Sequence, residues 1–288
     1  MIDKNEYDTV ISAKHKLFDL KIKETISYKD LILLFVKRDF VSSYKQTILG
    51  PLWAVIQPLL TTFMFIFVFG KVAHLTTSDK AGFMVPGFLF YFCGSICWSY
   101  FSSTLQATSN TFLSNRAIMG KVYYPRFASP VATSISHLIS FSIQFVMLMV
   151  AFVVYYIKGG SSIAFTPRIL LVIPVILQMM LLSVGAGVII SSFTTKYRDL
   201  AMLVAFGMQL WHYLCPVAYG IGLVPQKYFK IYMLNPMTPV ITTFRYAVFG
   251  GGYFNIYYFL YSFAVSIVVF FIGLVLFGRI ERTFMDTI

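Results

Sequence analysis

Few residues in this chain have side chains suited to chemistry, and their spacing keeps them apart. Four histidines, His15, His74, His137 and His212, are scattered along 288 residues, and no His/Cys/acid spacing among them points to a metal. A lone histidine in apolar sequence is more often a hydrogen-bonded packing residue than a ligand. Cys93 and Cys97, four apart, share one helix face, but two thiols without further ligands make a poor metal site, and they read as small core residues. Gly70-Lys71-Val72 and Gly120-Lys121-Val122 lack the Ser/Thr and the upstream glycine of a phosphate-binding loop, so the chain is not expected to hydrolyse nucleotides itself. Acid–base and glycosyl chemistry require paired acids or metals. Asp199 is instead the only carboxylate between Asp79 and Glu281. No catalytic residues, metal site or cofactor are assigned to this chain.

The elements that carry these residues are apolar. The chain is 58% hydrophobic and 12% charged, with a mean hydropathy of +0.76. A soluble domain is usually about 25% charged. The fold class expected is therefore an all-α integral membrane protein. A helix needs about 20 apolar residues to cross a hydrocarbon core about 30 Å thick. Six candidate spans emerge: Pro51–Phe69, Phe83–Leu105, Phe127–Ile157, Ile169–Phe193, Leu200–Ala218 and Tyr257–Phe277. The net charge of +12 comes mostly from short loops between these runs, a pattern for lipid head groups rather than nucleic acid. Met1–Leu20 is polar, so no signal peptide is expected. With six spans, sixteen Lys/Arg fall on the side of both termini and seven on the other, which makes both termini cytoplasmic. That asymmetry rests on the N-terminal tail, since the remaining loops are level at seven each.

Three regions follow: a cytoplasmic tail over 1–26, an interface helix over 27–48, and a transmembrane domain over 49–288. In "SYKDLILLFVKRDFVSSYKQTILG", Ser27 and Asp30 resemble a capping box, and Tyr28, Leu31, Leu34, Phe35 and Val41 recur near helical spacing among lysines and arginines. This predicts an amphipathic helix lying in the inner interface, as a simple anchor or with a docking role. Between the fifth and sixth spans, residues 215–251 are apolar but interrupted by Pro216, Pro225, Pro236 and Pro239. Two short re-entrant helices over 216–250, dipping into the outer leaflet as a lid, fit this pattern; the bland alternative is an apolar loop lying on the surface.

No span interior carries Asp or Glu, whereas ion-coupled transport usually relies on such groups at mid-membrane. The spans offer aromatics instead, among them Trp53, Phe63, Phe67, Phe206, Trp211 and Tyr213. Aromatic faces stack on the C–H faces of sugars without fixed charge, although composition alone also fits lipid-facing bulk.

Four stretches resemble the membrane subunit of bacterial ABC (ATP-binding-cassette) exporters of lipid-linked polysaccharides, the class that moves O-antigens, capsules and teichoic acids. They are "YKQTILGPLWAVIQPLL" (Tyr44–Leu60), "NRAIMGKVYYPR" (Asn115–Arg126), "YRDL" (Tyr197–Leu200), and a series of Cys215, Pro216, Tyr219, Pro225, Asn235, Pro236, Met237 and Arg245. Cys215 stands where a small residue such as Ser is common, and Met119-Gly120 replaces a more usual Ile-Lys pair. The resemblance implies a multi-pass subunit of the plasma (bacterial inner) membrane. It also implies a homodimer paired with two ATPase subunits on a separate chain, where ATP and Mg would bind. It implies ATPase coupling by Arg38, Asn115, Arg116, Lys121, Arg126, Tyr197, Arg198 and Asp199. A path would be lined by Trp53, Gln57, Phe63, Phe67, Phe206, Gln209, Trp211 and Tyr213. An outer gate would be built from Pro216, Tyr219, Pro225, Asn235, Pro236, Met237 and Arg245. Asp199 then has two readings, an N-cap of the fifth span or a charge holding Arg198 or pairing across subunits. The function implied is transfer of a lipid-linked glycan from the cytoplasmic to the outer side. The alternative is an exporter of a small lipid or drug; an enzyme acting on lipid-linked sugars and a passive channel fit the missing acids and filter segments poorly.

Overall fold

In a computed structural model, residues 22–45, 47–74, 83–115, 118, 124–159, 163–194, 197 and 199–284 are described. Among them the regular elements are all helical. In chain order these are α1 (Ile22–Ser27), α2 (Lys29–Tyr44), α3 (Trp53–Phe65), α4 (Gly87–Ser109), α5 (Thr111–Ser114), α6 (Ala128–Lys158), α7 (Val172–Thr194), α8 (Leu200–Tyr213), α9 (Gln226–Leu234), α10 (Met237–Phe249) and α11 (Ile256–Phe284). A short 3-10 turn leads into α3, which continues as a wider π-type segment, Ile66–Val72.

Among the described residues, four helical stretches are long and apolar enough to cross a bilayer: Gly50–Val72, Ala128–Lys158, Pro167–Thr194 and Ile256–Arg279. The other two expected spans differ for separate reasons. α4 is long enough at 23 residues, but its serines, threonines and Gln106 lower its hydropathy. Protein rather than lipid surrounds it: Leu89 through Trp98 are all buried. α8 is apolar but has only 14 residues, where Leu200–Ala218 was expected. At about 1.5 Å per residue that is about 21 Å, short of the hydrocarbon core.

The core explains the order of packing. α7 lies between α4 and α11, and glycine lets it approach both closely. A Cβ on Gly185 would lie 2.6 Å from the Phe270 Cα, and one on Gly187 2.6 Å from the Thr108 Cβ. Small residues at crossings are how apolar helices gain van der Waals contact when no water drives them together. Side-chain hydrogen bonds add to this: Gln144 Nε2 donates to the Ala54 carbonyl at 2.9 Å, joining α6 to α3, and the Thr194 hydroxyl donates to the Ser109 carbonyl at 2.8 Å, joining α7 to α4.

The N-terminal helix forms, as α1 and α2, but its contact face is not the expected one. α2 buries Ile32, Phe35 and Val36 against a cluster that includes Phe112, Tyr124, Ala128 and Ala132, while Leu33, Leu34 and Val41 are exposed. The start also differs: Tyr28 rather than Ser27 occupies the N-cap position of α2, and its side chain makes no capping bond.

Candidate functional site

The Pro-rich segment builds its own structure. Pro225 and Pro236 sit at the N-cap positions of α9 and α10, where the fixed φ of proline and its missing N–H cost nothing. They therefore bound two short helices, as expected from the sequence, rather than merely interrupting one. Ile221, Phe229 and Met233 form a small core of their own, packed by Val224, Tyr232, Tyr253 and Tyr258.

Asn235, between the two helices, joins the segment to the end of α8. Trp211 Nε1 donates to its Oδ1 at 3.1 Å, and the Met237 backbone N–H donates to the same oxygen at 3.2 Å. Its Nδ2 donates to the Leu214 carbonyl at 3.1 Å and approaches the Cys215 Sγ at 3.3 Å. One amide thus uses both its acceptor and its donors to hold three separate points of chain. A second link runs beside it: the Tyr232 hydroxyl donates to that of Tyr219 at 2.9 Å, and Tyr219 donates to the Tyr213 carbonyl at 2.9 Å.

Arg245 anchors the other side. It is buried, its Nη2 donates to the Val217 carbonyl at 2.8 Å, and its guanidinium lies 3.6 Å from the centre of the Phe90 ring. Gly94 of α4 makes room for it: a Cβ there would lie 2.7 Å from Arg245 Nη2 and 2.8 Å from the Val217 oxygen. Pro216 and Met237 are buried in the same region, and Pro225 is exposed. The seven residues expected to form a gate therefore belong to one segment, and Asn235, Tyr219 and Arg245 tie it to α8 and α4.

The residues expected along a path fall on α3, its π-type continuation and α8. Trp53, Gln57, Phe63, Phe67, Phe206, Gln209 and Tyr213 are exposed, and Trp211 is half-buried. The two elements meet at Phe65 and His212, whose rings are 5.7 Å apart, while Trp211 packs edge-on against Phe101 of α4 at 5.2 Å. Met208 is the only buried residue of α8. Most of that helix is thus uncovered within one subunit, and its surface there is uncharged.

The residues expected to couple to an ATPase are more dispersed. Arg38 pairs with Asp39, with Nη2–Oδ1 at 2.8 Å, and lies over the Phe35 ring at 4.6 Å. Asp39 also accepts from the Thr133 hydroxyl at 3.4 Å, which ties α2 to α6. Sequence reasoning missed Asp39; its position directly after Arg38 was the available signal. Asn115 and Arg126 are buried, and Asn115 Nδ2 donates to the Thr111 carbonyl at 3.1 Å. Tyr124, also missed, stacks edge-on against Phe35 at 5.4 Å; burial raises its hydroxyl above the ordinary tyrosine range, so it stays protonated. Tyr197 and Asp199 are exposed. Arg116, Lys121 and Arg198 lie outside the described residues. Asp199 occupies the N-cap position of α8, but its carboxylate makes no capping bond. Its φ of −66° and ψ of −23° are helical, whereas a capping side chain requires an extended backbone. The cap reading of Asp199 is therefore not met, and its charge remains exposed for other contacts.

The described residues thus form a helical protein with four stretches apolar enough to cross a membrane and a tied apolar segment beside a largely uncovered helix. The chain belongs to the ABC-2 type transporter family, whose model matches residues 30–249. It is 25% identical over 269 residues to an O-antigen export system permease protein RfbA of Klebsiella pneumoniae, covering 93% of this chain and 98% of that one. It is 22% identical over 227 residues to the protein of the same name from Myxococcus xanthus, covering 78% and 82%. The polysialic acid transport protein KpsM of Escherichia coli is 22% identical over 250 residues, covering 87% and 93%.

Proposed function

We propose that this chain is the membrane subunit of an ATP-driven exporter that moves a lipid-linked polysaccharide from the cytoplasmic to the outer side of the plasma membrane. In this reading α4 and α8 complete a six-span subunit, with α8 extended by the turn after Tyr213. Both termini are cytoplasmic and two copies assemble with two ATPase chains that bind ATP and Mg. The observation that carries it is the uncharged surface of aromatic and amide side chains that α3 and α8 leave uncovered. A polymer path should grip weakly at many points, and stacking does so without binding one charge state. The names of the relatives support the same substrate class. The α9–α10 segment is the outer gate, dipping into the outer leaflet, and Asn235 transmits movement of α8 to it. Arg38, Asn115, Arg126, Tyr197 and Asp199 face or support the ATPase.

The test is reconstitution with a partner ATPase, measuring glycan transfer, ATP turnover and dye leakage together. Trp211→Ala and Phe206→Ala should lower glycan transfer while basal ATP turnover persists, and deletions within 226–245 should admit small dyes. Normal transfer by both aromatic variants would make these side chains lipid-facing and remove the path. A complex that transports small lipids but no glycan would favour the alternative exporter.

A further inference from the structure

Where α2, α3, α4 and α6 converge, the subunit holds a partly open polar cavity of about 270 Å³. No Lys, Arg, Asp or Glu lines it. Its walls are tied together: the Tyr44 and Ser140 hydroxyls are 3.1 Å apart, and Gln144 reaches the Ala54 carbonyl. Ser136 is only 5% exposed, yet its hydroxyl has no hydrogen-bond partner among the described residues. A helical serine usually returns its proton to a carbonyl one turn back, so a free hydroxyl on the wall of a cavity is available to an occupant. Ser99, Ser103 and Gln57 line the same space, and none of their side chains has a partner among the described residues. His137 contributes a ring whose Nδ1 is engaged by Thr104 at 3.2 Å, leaving Nε2 for the cavity. Trp53, 44% exposed, stands at the mouth with Gln57 and Ser103.

These features select among ligands. A phosphate would meet no cation, a metal no carboxylate, and an acyl chain would strand the hydroxyls. What satisfies many neutral donors and acceptors beside an aromatic face is a neutral polyol ring. The volume lies just under the range of about 300–1,000 Å³ for small-molecule sites, which suits one ring and not a chain. We propose that this cavity binds a single neutral sugar ring of the exported glycan, with Trp53 against one ring face and Gln57, Ser99, Ser136 and His137 bonding its hydroxyls. The inference rests on the export reading for the source of the sugar, though the pocket's chemistry stands apart from it.

The experiment uses the full complex with its ATPase in nanodiscs. Saturation-transfer NMR is recorded with a panel of neutral methyl glycosides. At least one should show transfer concentrated on one ring face, with millimolar affinity. Gln57→Leu, at the exposed mouth, should weaken it by about threefold to tenfold, the effect of one neutral hydrogen bond. Ser136→Phe, which fills the cavity, should abolish it, and Ser136→Ala, which threatens folding less, should weaken it as Gln57→Leu does. Competition by soluble glycan released from the host's surface polysaccharide supports the proposal. Competition only by a monoglycosyl diacylglycerol overturns it in favour of a membrane glycolipid. Absence of transfer for every glycoside, or equal transfer in wild type and all three variants, also overturns it and leaves a hydrated packing defect. Glycan export is measured on the same samples: binding without export retains the pocket and removes the exporter reading, and export without binding does the reverse.

Discussion

Asn235→Ala tests whether one amide holds the Pro-rich segment to the end of α8. The substitution removes the bonds to Trp211 Nε1, the Leu214 carbonyl and the Met237 N–H, plus the weaker contact with Cys215. A neutral hydrogen bond contributes about 0.5–1.5 kcal/mol net in proteins, and about 0.6 on average between membrane helices. Three good bonds therefore set an expected loss of about 2–4 kcal/mol. Trp211→Phe deletes one of them and should cost about 0.5–1.5 kcal/mol. The two changes share a bond, so the double variant should be less destabilised than their sum by about that amount. Unfolding by SDS in mixed micelles gives these differences. A second readout uses Cys215, which is fully buried, in a Cys93→Ala/Cys97→Ala background. Maleimide should label it slowly in the parent and much faster with Asn235→Ala. If Asn235→Ala unfolds within about 0.5 kcal/mol of the parent, the range of ordinary surface changes, and Cys215 stays protected, then Asn235 does not hold the segment.

Gly94→Ala should cost about 1–3 kcal/mol by the same unfolding assay, because its Cβ would meet the Arg245 guanidinium and a Val217 backbone oxygen that cannot easily move. Asp199→Asn should change stability by less than about 0.5 kcal/mol, since no capping bond is lost. Export should fall if the exposed charge contacts the ATPase, and full export with Asp199→Asn refutes a role for that charge. Single cysteines at Ser114 should react only from the cytoplasm and at Thr77 only from outside. Labelling of Ser161→Cys from the cytoplasm would contradict the six-span orientation.

How much of this was legible in sequence depended on the range of the cause. Helices long and apolar enough to span announce themselves by composition; α6 and α7 fall within three residues of their expected limits, and α11 begins one residue early but runs seven residues past its expected end. α4 showed in sequence as a long apolar run but not as a largely enclosed helix, because hydropathy measures attraction to lipid and α4 is solvated by protein. Proline gave the starts of α9 and α10, since its effect on φ is local. The face α2 buries was misjudged because apolar residues lie on both its sides, and only Phe112, Tyr124 and the start of α6 decide between them. The Pro- and Asn-containing series proposed as a gate could be recognised, but the hydrogen bonds that tie it to α8 could not. Asn235 and Trp211 are 24 residues apart, and an asparagine beside a proline ordinarily signals only a turn. The cavity was the least legible feature. Trp53 and Gln57 were picked out for a path, whereas Ser99, Ser136 and His137 looked like unremarkable polar positions on apolar helices until four helices brought them together. Serine on a membrane helix normally hides its hydroxyl against its own backbone, so sequence treats it as silent. Ser136 lacks that bond, and this is why the wall it belongs to reads as a surface awaiting an occupant rather than as packing.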